Sequence, residues 1–174
     1  AYARAYGTRI LEEGVSVKLF SRISLAAASV QPMMSVDAVW TIDCHGRIGV
    51  SLQVHRNPEY PELPRFGLRL FLNESFDQVS YYGMGPYESY RDKHRASCHG
   101  LYHGLVADMQ EDYIYPQENG SHMDCDYVTL CDNSLGLTAV SDQTFSFHAS
   151  VYTQEELEKK AHHYELRPSG STVL

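Results

Sequence analysis

The sequence predicts an all-β domain, a large antiparallel sandwich over residues 1–174, and three observations carry that prediction. Apolar residues recur with period two through most of the chain, the spacing of a half-buried strand. Turn residues separate successive alternating runs, so neighbouring strands join as hairpins and pair antiparallel. Only residues 153–160 carry a helix signal. At 174 residues the chain suits one domain and buries a core without staples. Apolar residues make up 43% and charged residues 21%, which places it among globular rather than disordered chains.

The elements follow in order. Val15-Ser-Val-Lys-Leu-Phe alternates as a strand, and so does Val36-Asp-Ala-Val-Trp-Thr-Ile-Asp. His45-Gly46-Arg47 turns the chain into Ile48-Gly-Val-Ser-Leu-Gln-Val-His, the strongest hairpin signal present. Pro58, Pro61 and Pro64 mark a connection, because proline cannot donate to a central ladder. Arg65-Phe-Gly-Leu-Arg-Leu-Phe-Leu and Gln78-Val-Ser-Tyr-Tyr-Gly-Met resume the strands. Alternation weakens over residues 85–120, where aromatic, Pro and Gly residues collect in a long irregular stretch of the kind that carries function or interfaces. Strands return at 122–131, 135–141 and 145–151, the last two separated by a turn at Ser141-Asp142-Gln143. In the helix, Thr153 caps the N-terminus and Glu156 completes a capping box. Glu155 and Glu156 face the positive end of the dipole, Lys159 and Lys160 the negative end. Ser171-Thr-Val-Leu reads as a strand interrupted by the chain end, so the sequence is expected to be a piece of a longer protein.

Several function classes fall away. A net charge of −8 with scattered Lys and Arg does not suit nucleic acid. No apolar run reaches the roughly 18 residues a membrane span needs, and no basic-then-apolar leader is present. Cys44, Cys98, Cys125 and Cys131 lack C-x2-C spacing and are expected as buried free thiols, disulfides being the alternative. His99 and His103 stand four apart, but Gly100 and Gly104 argue against a helix that would join them on a metal, and adjacent His162 and His163 would face opposite sides of a strand. No G-x-S-x-G elbow, phosphate loop or dinucleotide fingerprint occurs.

The irregular stretch holds the candidate site. Glycoside hydrolysis needs two carboxylates about 5–10 Å apart, and Glu88 and Glu118 are the best placed. Their expected role is to accept backbone N–H bonds and, with Arg91, to knit the loops. Thirteen tyrosines, many between Tyr87 and Tyr115, suit a surface that meets sugar or protein. The candidate carbohydrate-binding or interface residues are Tyr87, Glu88, Tyr90, Arg91, Tyr115, Glu118 and Asn119.

Three motifs end the anonymity of the chain. Gly83-Met-Gly-Pro-Tyr-Glu-Ser-Tyr-Arg-Asp-Lys resembles the G-x-G-P-x-E-x-Y-x-D-[RK] stretch in the last domain of family 2 β-galactosidases. Tyr113-Ile-Tyr-Pro-Gln-Glu-Asn-Gly resembles its Y-x-x-P-x-E-N-G, and Leu63-Pro-Arg-Phe-Gly-Leu its L-P-R-x-G. The resemblance runs from about Val15 to the end. It implies the small-chain domain, a large sandwich of the galactose-mutarotase-like kind. It implies a parent that hydrolyses terminal β-D-galactosides with retention, through two glutamates in a (β/α)8 barrel outside this chain. No catalytic residue therefore carries over, and no cofactor belongs to this chain; the Mg and Na such enzymes use belong to the barrel region. The family's pocket tryptophan lies beyond the matched motifs, and Trp40 does not correspond to it. The implied partners are the remaining domains of the parent, with a homo-oligomer left open; galactoside enters only in the full enzyme. Nucleic acid and membrane are not expected partners, and the compartment, bacterial cytoplasm or periplasm, stays open. The readings set beside the accessory role are an autonomous galactose-binding module and a mutarotase-like epimerase, which would pair His99 or His103 with Glu88 or Glu118.

Overall fold

A computed structural model describes residues 2–174. The chain divides into two compact units, one running to Phe66 and one from Gly67 to Leu174.

The first unit is an antiparallel meander of β1 (Tyr2–Glu13), β2 (Ser16–Ala26), β3 (Met34–Asp43) and β4 (Ile48–Arg56), paired in that order. Strand β1 lies upstream of the first alternating run read from the sequence. Its side chains are exposed throughout, so no period-two contrast marked it. Gly14 (φ +60°) turns β1 into β2, and the predicted hairpin closes β3 onto β4. There Asp43 Oδ1 accepts the N–H of His45 at 2.8 Å and of Arg47 at 3.0 Å around Gly46 (φ +80°). The register assembles one apolar face: Val17, Leu19, Ile23 and Leu25 from β2, then Met34, Val36, Ala38, Trp40 and Ile42, then Ile48, Val50, Leu52 and Val54. Met34, Val36 and Ala38 are buried, whereas Val17, Ile42, Ile48, Val50 and Val54 are exposed. The opposite face is polar, with Arg22 bridging to Asp37 at 2.7 Å and His55 beside it.

The second unit holds a four-stranded antiparallel sheet in the order β7 (Cys98–Leu105), β6 (Gln78–Gly85), β8 (Ser121–Cys131), β9 (Gly136–His148). A two-stranded sheet pairs β5 (Phe71–Asn73) with β10 (Ser171–Val173). Val79 and Tyr81 of β6, Cys125, Val128 and Leu130 of β8, and Phe147 of β9 form the buried core. Leu72 of β5, Phe76 and Leu174 pack against it from the second layer. Gly83 is required here, because an added Cβ would overlap Cys125 Sγ and lie 2.9 Å from the Cys125 Cα. The helix α1 (Gln154–Lys159) forms where predicted, with Leu157 buried.

The all-β, antiparallel class of the sequence reading holds, and the layering fits a sandwich. Particular elements differ. Residues 65–70 form no strand; Leu70 bonds reciprocally with Leu174, and the ladder extends only through Phe71–Asn73, because that is as far as β10 offers partners. The stretch 85–120 is less irregular than expected, since β7 lies within it. Residues 135–151 contain one strand, not two. Ser141-Asp142-Gln143 stays extended, and the surplus residues are absorbed where the β8–β9 register slips between Cys125 and Tyr127. The capping box is half made: Thr153 Oγ1 accepts Glu156 N–H at 3.2 Å, but the Glu156 carboxylate accepts Arg167 N–H at 3.0 Å instead of returning to Thr153. All four cysteines are free, yet only Cys125 is buried; Cys44 and Cys98 are exposed, in a turn and on an edge strand. His163 opens a 3-10 turn (His163–Glu165) rather than lying in a strand. Among the described residues no helix is long and apolar enough to cross a membrane.

Candidate functional site

The site is built where β6 gives way to its loop. Past the cis Gly85–Pro86 bond the chain runs alongside the start of β8, with Ser89 N–H donating to Ser121 O at 2.6 Å. Tyr90 and Lys93 then close a tight turn through reciprocal backbone bonds of 2.8 and 3.0 Å, which brings Lys93 back over Glu88. The Glu88 side chain is 3% exposed. Its Oε1 accepts from Lys93 Nζ and from the Tyr113 hydroxyl, and its Oε2 accepts Gly120 N–H at 2.8 Å. Lys93 also donates to the Tyr113 oxygen at 2.6 Å and sits 5.2 Å from that ring's centroid. Gly120 is in the left-handed region (φ +68°), and any Cβ there would meet the Met109 carbonyl, so only glycine presents its N–H to Glu88.

Burial pushes the Glu88 carboxyl up. Hydrogen bonds from Lys93, Tyr113 and Gly120 outweigh it and hold the group below the usual carboxylate range. For the Lys93 ammonium and the Tyr113 phenol alike, the hydrogen bond each donates to Glu88 is the largest influence raising it. The result is an ionised carboxylate whose lone pairs are already engaged, suited to holding three loop segments together and unsuited to proton transfer.

Beside this network lies a groove of about 450 Å³, lined by Tyr87, Glu88, the 92–96 segment and Glu111. Tyr87 is 59% exposed on its wall. Of the residues singled out in the sequence, Tyr87 and Glu88 meet at this groove. Tyr90 is half-buried, its hydroxyl accepting Ser121 N–H at 3.4 Å, and burial raises its phenol to about 12. Asn119 is buried as a loop clamp, accepting Glu111 N–H and donating to Gln117 O, each at 2.9 Å. Tyr115 and Glu118 are exposed and do not line the groove. Arg91 is exposed and makes no ion pair among the described residues; Lys93 fills the knitting role expected of Arg91, because the Tyr90–Lys93 turn points position 93 inward.

Sequence reasoning missed Lys93, Tyr113 and His122. The first two sit inside the recognised motifs, so their participation was within reach. His122 is buried under Tyr81, with ring centroids 4.5 Å apart, and stacks on Phe147 at 5.4 Å. Its Nδ1 lies 3.0 Å from Met84 O and 2.9 Å from the Tyr81 oxygen. A carbonyl only accepts, so Nδ1 carries the proton. Burial lowers the imidazole below its ordinary range, and it stays neutral. No sequence pattern distinguishes this histidine from the eight others. His99 and His103 both lie on β7, His99 bonding Asp124 O at 3.0 Å. No group of three or more His, Cys, Asp or Glu side chains is arranged to hold a metal ion among the described residues.

Against known proteins, the profile of the family described as Beta galactosidase small chain matches residues 5–174. Over its full length the chain is 39% identical to a β-galactosidase of Actinobacillus pleuropneumoniae, covering 17% of that protein. It is 34% identical to a β-galactosidase of Staphylococcus xylosus over 171 residues, 98% of this chain and 17% of the relative. It is also 35% identical to a β-galactosidase small subunit of Latilactobacillus sakei over 157 residues, 82% of this chain and 48% of that subunit. The chain thus spans a minor part of each relative's length.

Proposed function

Because the chain belongs to the β-galactosidase small-chain family, we propose that it is an accessory region of a β-galactosidase, without catalytic residues of its own, that docks onto the remaining domains of the parent and supports the shape of its active site. The parent hydrolyses terminal non-reducing β-D-galactosides, and its catalytic glutamates and its metal ions lie outside this chain.

The observation that carries this reading is the apolar face of the β1–β4 sheet. Ile42, Ile48, Val50 and Val54 remain exposed on one continuous surface, Ile48 at 56%. Contiguous exposed apolar surface of this kind marks an interaction face, since water contact costs about 25 cal/mol per Å² left uncovered. The engaged state of Glu88 supports the non-catalytic part. An ionised carboxylate already bonded to Lys93, Tyr113 and Gly120 has no proton to give and little basicity to offer.

The test uses a full-length β-galactosidase carrying this region. Val50 and Ser51 are adjacent on β4 and point to opposite faces. Val50→Asp places a charge on the apolar face and is expected to lower both the thermal midpoint and the activity of the assembled enzyme, while Ser51→Asp leaves both near wild type. Equal effects of the two substitutions would overturn the docking role.

A further inference from the structure

We propose that the groove beside Glu88 is a binding site for a neutral pyranose sugar, stacked on Tyr87 and held through its hydroxyls by Arg95, Asp92 and Glu111. The inference goes beyond the docking role, which concerns the sheet of the first unit.

Size comes first. A volume of about 450 Å³ falls inside the roughly 300–1,000 Å³ range of small-molecule sites. The second observation is hydrogen-bonding capacity that the protein itself does not use. Among the described residues the Arg95 guanidinium and the carboxylates of Asp92 and Glu111 have no protein partner, yet all three line the one concavity. His94 adds a further polar atom: its Nδ1 bonds Tyr90 O at 3.0 Å, which leaves Nε2 for a ligand.

Charge then selects the ligand class. Glu88 and Lys93 neutralise each other. Arg95 shares the groove with the carboxylates of Asp92 and Glu111, so the walls carry both signs with a small negative excess, which does not suit a phosphate or another anion. A neutral polyol matches such walls, because every hydroxyl both donates and accepts and adjacent hydroxyls pair two at a time with a guanidinium or a carboxylate. Tyr87 supplies what distinguishes a sugar ring from a simpler polyol: a flat aromatic face for the apolar C–H side of a pyranose.

The wall is also preorganised. Ser97 Oγ donates to Tyr87 O at 2.9 Å, and the next residue is Glu88, pinned by three donors. Tyr87 is therefore fixed at its backbone while its ring stays open, so little ordering is left to oppose binding.

The experiment is cryo-electron microscopy of a full-length β-galactosidase carrying this region, soaked with methyl β-D-galactopyranoside well above the concentration that fills the active site. The choice of probe rests on the β-galactosidase reading, and the two sites report separately. Sugar density against Tyr87 is expected, and Tyr87→Ala and Arg95→Ala are each expected to weaken groove occupancy at least about tenfold with the surrounding loops still in place in the maps. An empty groove overturns the proposal, and so does groove density that persists unchanged in both variants. A filled groove beside an empty active site overturns the parent's activity and leaves the groove standing.

Discussion

The molecule contains two four-stranded antiparallel sheets made from the same alternating pattern, and they end in different states. In the first, each strand pairs with its neighbour in sequence and much of the apolar face stays in contact with solvent. In the second, β6 pairs on one side with β7 and on the other with β8, and Tyr81 and Leu130 are fully buried. The connections account for the difference. The first sheet is joined mainly by turns, whereas the core of the second is met by Leu72, Phe76, Val151 and Leu174 and by Val106 and Met109 of the long 106–120 connection, which Glu88 and Asn119 tie down. Alternation decides which face of a sheet is apolar. What covers that face is decided by segments in which alternation is absent.

The sharpest way to break this contrast is to make the same kind of truncation in both sheets. Leu130→Ala removes a fully buried side chain and is expected to cost about 3 kcal/mol or more, within the range for sealed cores. Val54→Ala, on the half-exposed face of β4, is expected to cost under about 1 kcal/mol in this chain. Denaturant titration of each variant provides the comparison, and similar losses would mean that the two faces are not differently sealed. The next effect tests the loops themselves. Glu88→Ala strands the Gly120 N–H and the Tyr113 hydroxyl and is expected to cost about 2–3 kcal/mol. Arg91→Ala, on the same loop with its side chain in water, should cost nothing measurable. If the two substitutions weigh the same, Glu88 is not the tie between the loops.

How much of this was legible follows the same division. The hairpin at 45–47 and the helix cap at Thr153 are local devices in which sequence and geometry coincide, and both formed as read. Alternating runs located β3, β4, β6 and β8 to within a few residues and the first half of β2, which continues six residues past Phe20 to Ala26. Alternation failed where a strand has no buried side, as in β1, and where a strand is rich in glycine, as in β7 with Gly100 and Gly104. It misled at 141–143, where turn-forming residues occupy an exposed excursion of a continuous strand. The site was partly visible. Glu88 was recognised as a loop-knitting carboxylate, but its partner was sought in Arg91, because nothing in the sequence says which side of a four-residue turn faces in. Lys93, Tyr113 and Gly120 lie 5, 25 and 32 residues from Glu88, and only the fold brings them together.

Acid separates the buried core from the loop tie. His122 is neutral in the folded state because burial lowers its pKa below the ordinary 6.5. The unfolded chain therefore takes up this proton first, so its contribution is intact above about pH 6.5 and is lost as pH falls toward the folded value. Glu88 also has a lowered pKa, but as an acid: its stabilisation is present above the ordinary 4.5 and disappears as pH falls through the folded value. Two windows result, with the histidine's at higher pH. Stability measured between pH 8 and 5 is expected to fall less steeply in His122→Gln than in wild type, with the acid limb below pH 4.5 retained, whereas Glu88→Gln should flatten the lower limb alone. Parallel curves for all three proteins would remove His122 from the core account.

The smallest effect asks whether the two units respond as one. Thr153 Oγ1 holds the Glu156 N–H at the start of α1, and Leu157 of that helix is buried in the second unit. Thr153→Ala removes the cap and is expected to cost about 1 kcal/mol, while Thr153→Asn, which can still accept the N–H, should restore most of it. Amide exchange is the measurement that localises the loss. If each sheet is sealed by its own connections, protection should fall within the second unit, which holds α1 together with β6 and β8, and stay unchanged in β2 and β3. A uniform fall across both sheets would mean that the units open together, and that the different coverage of their apolar faces does not make them independent in stability.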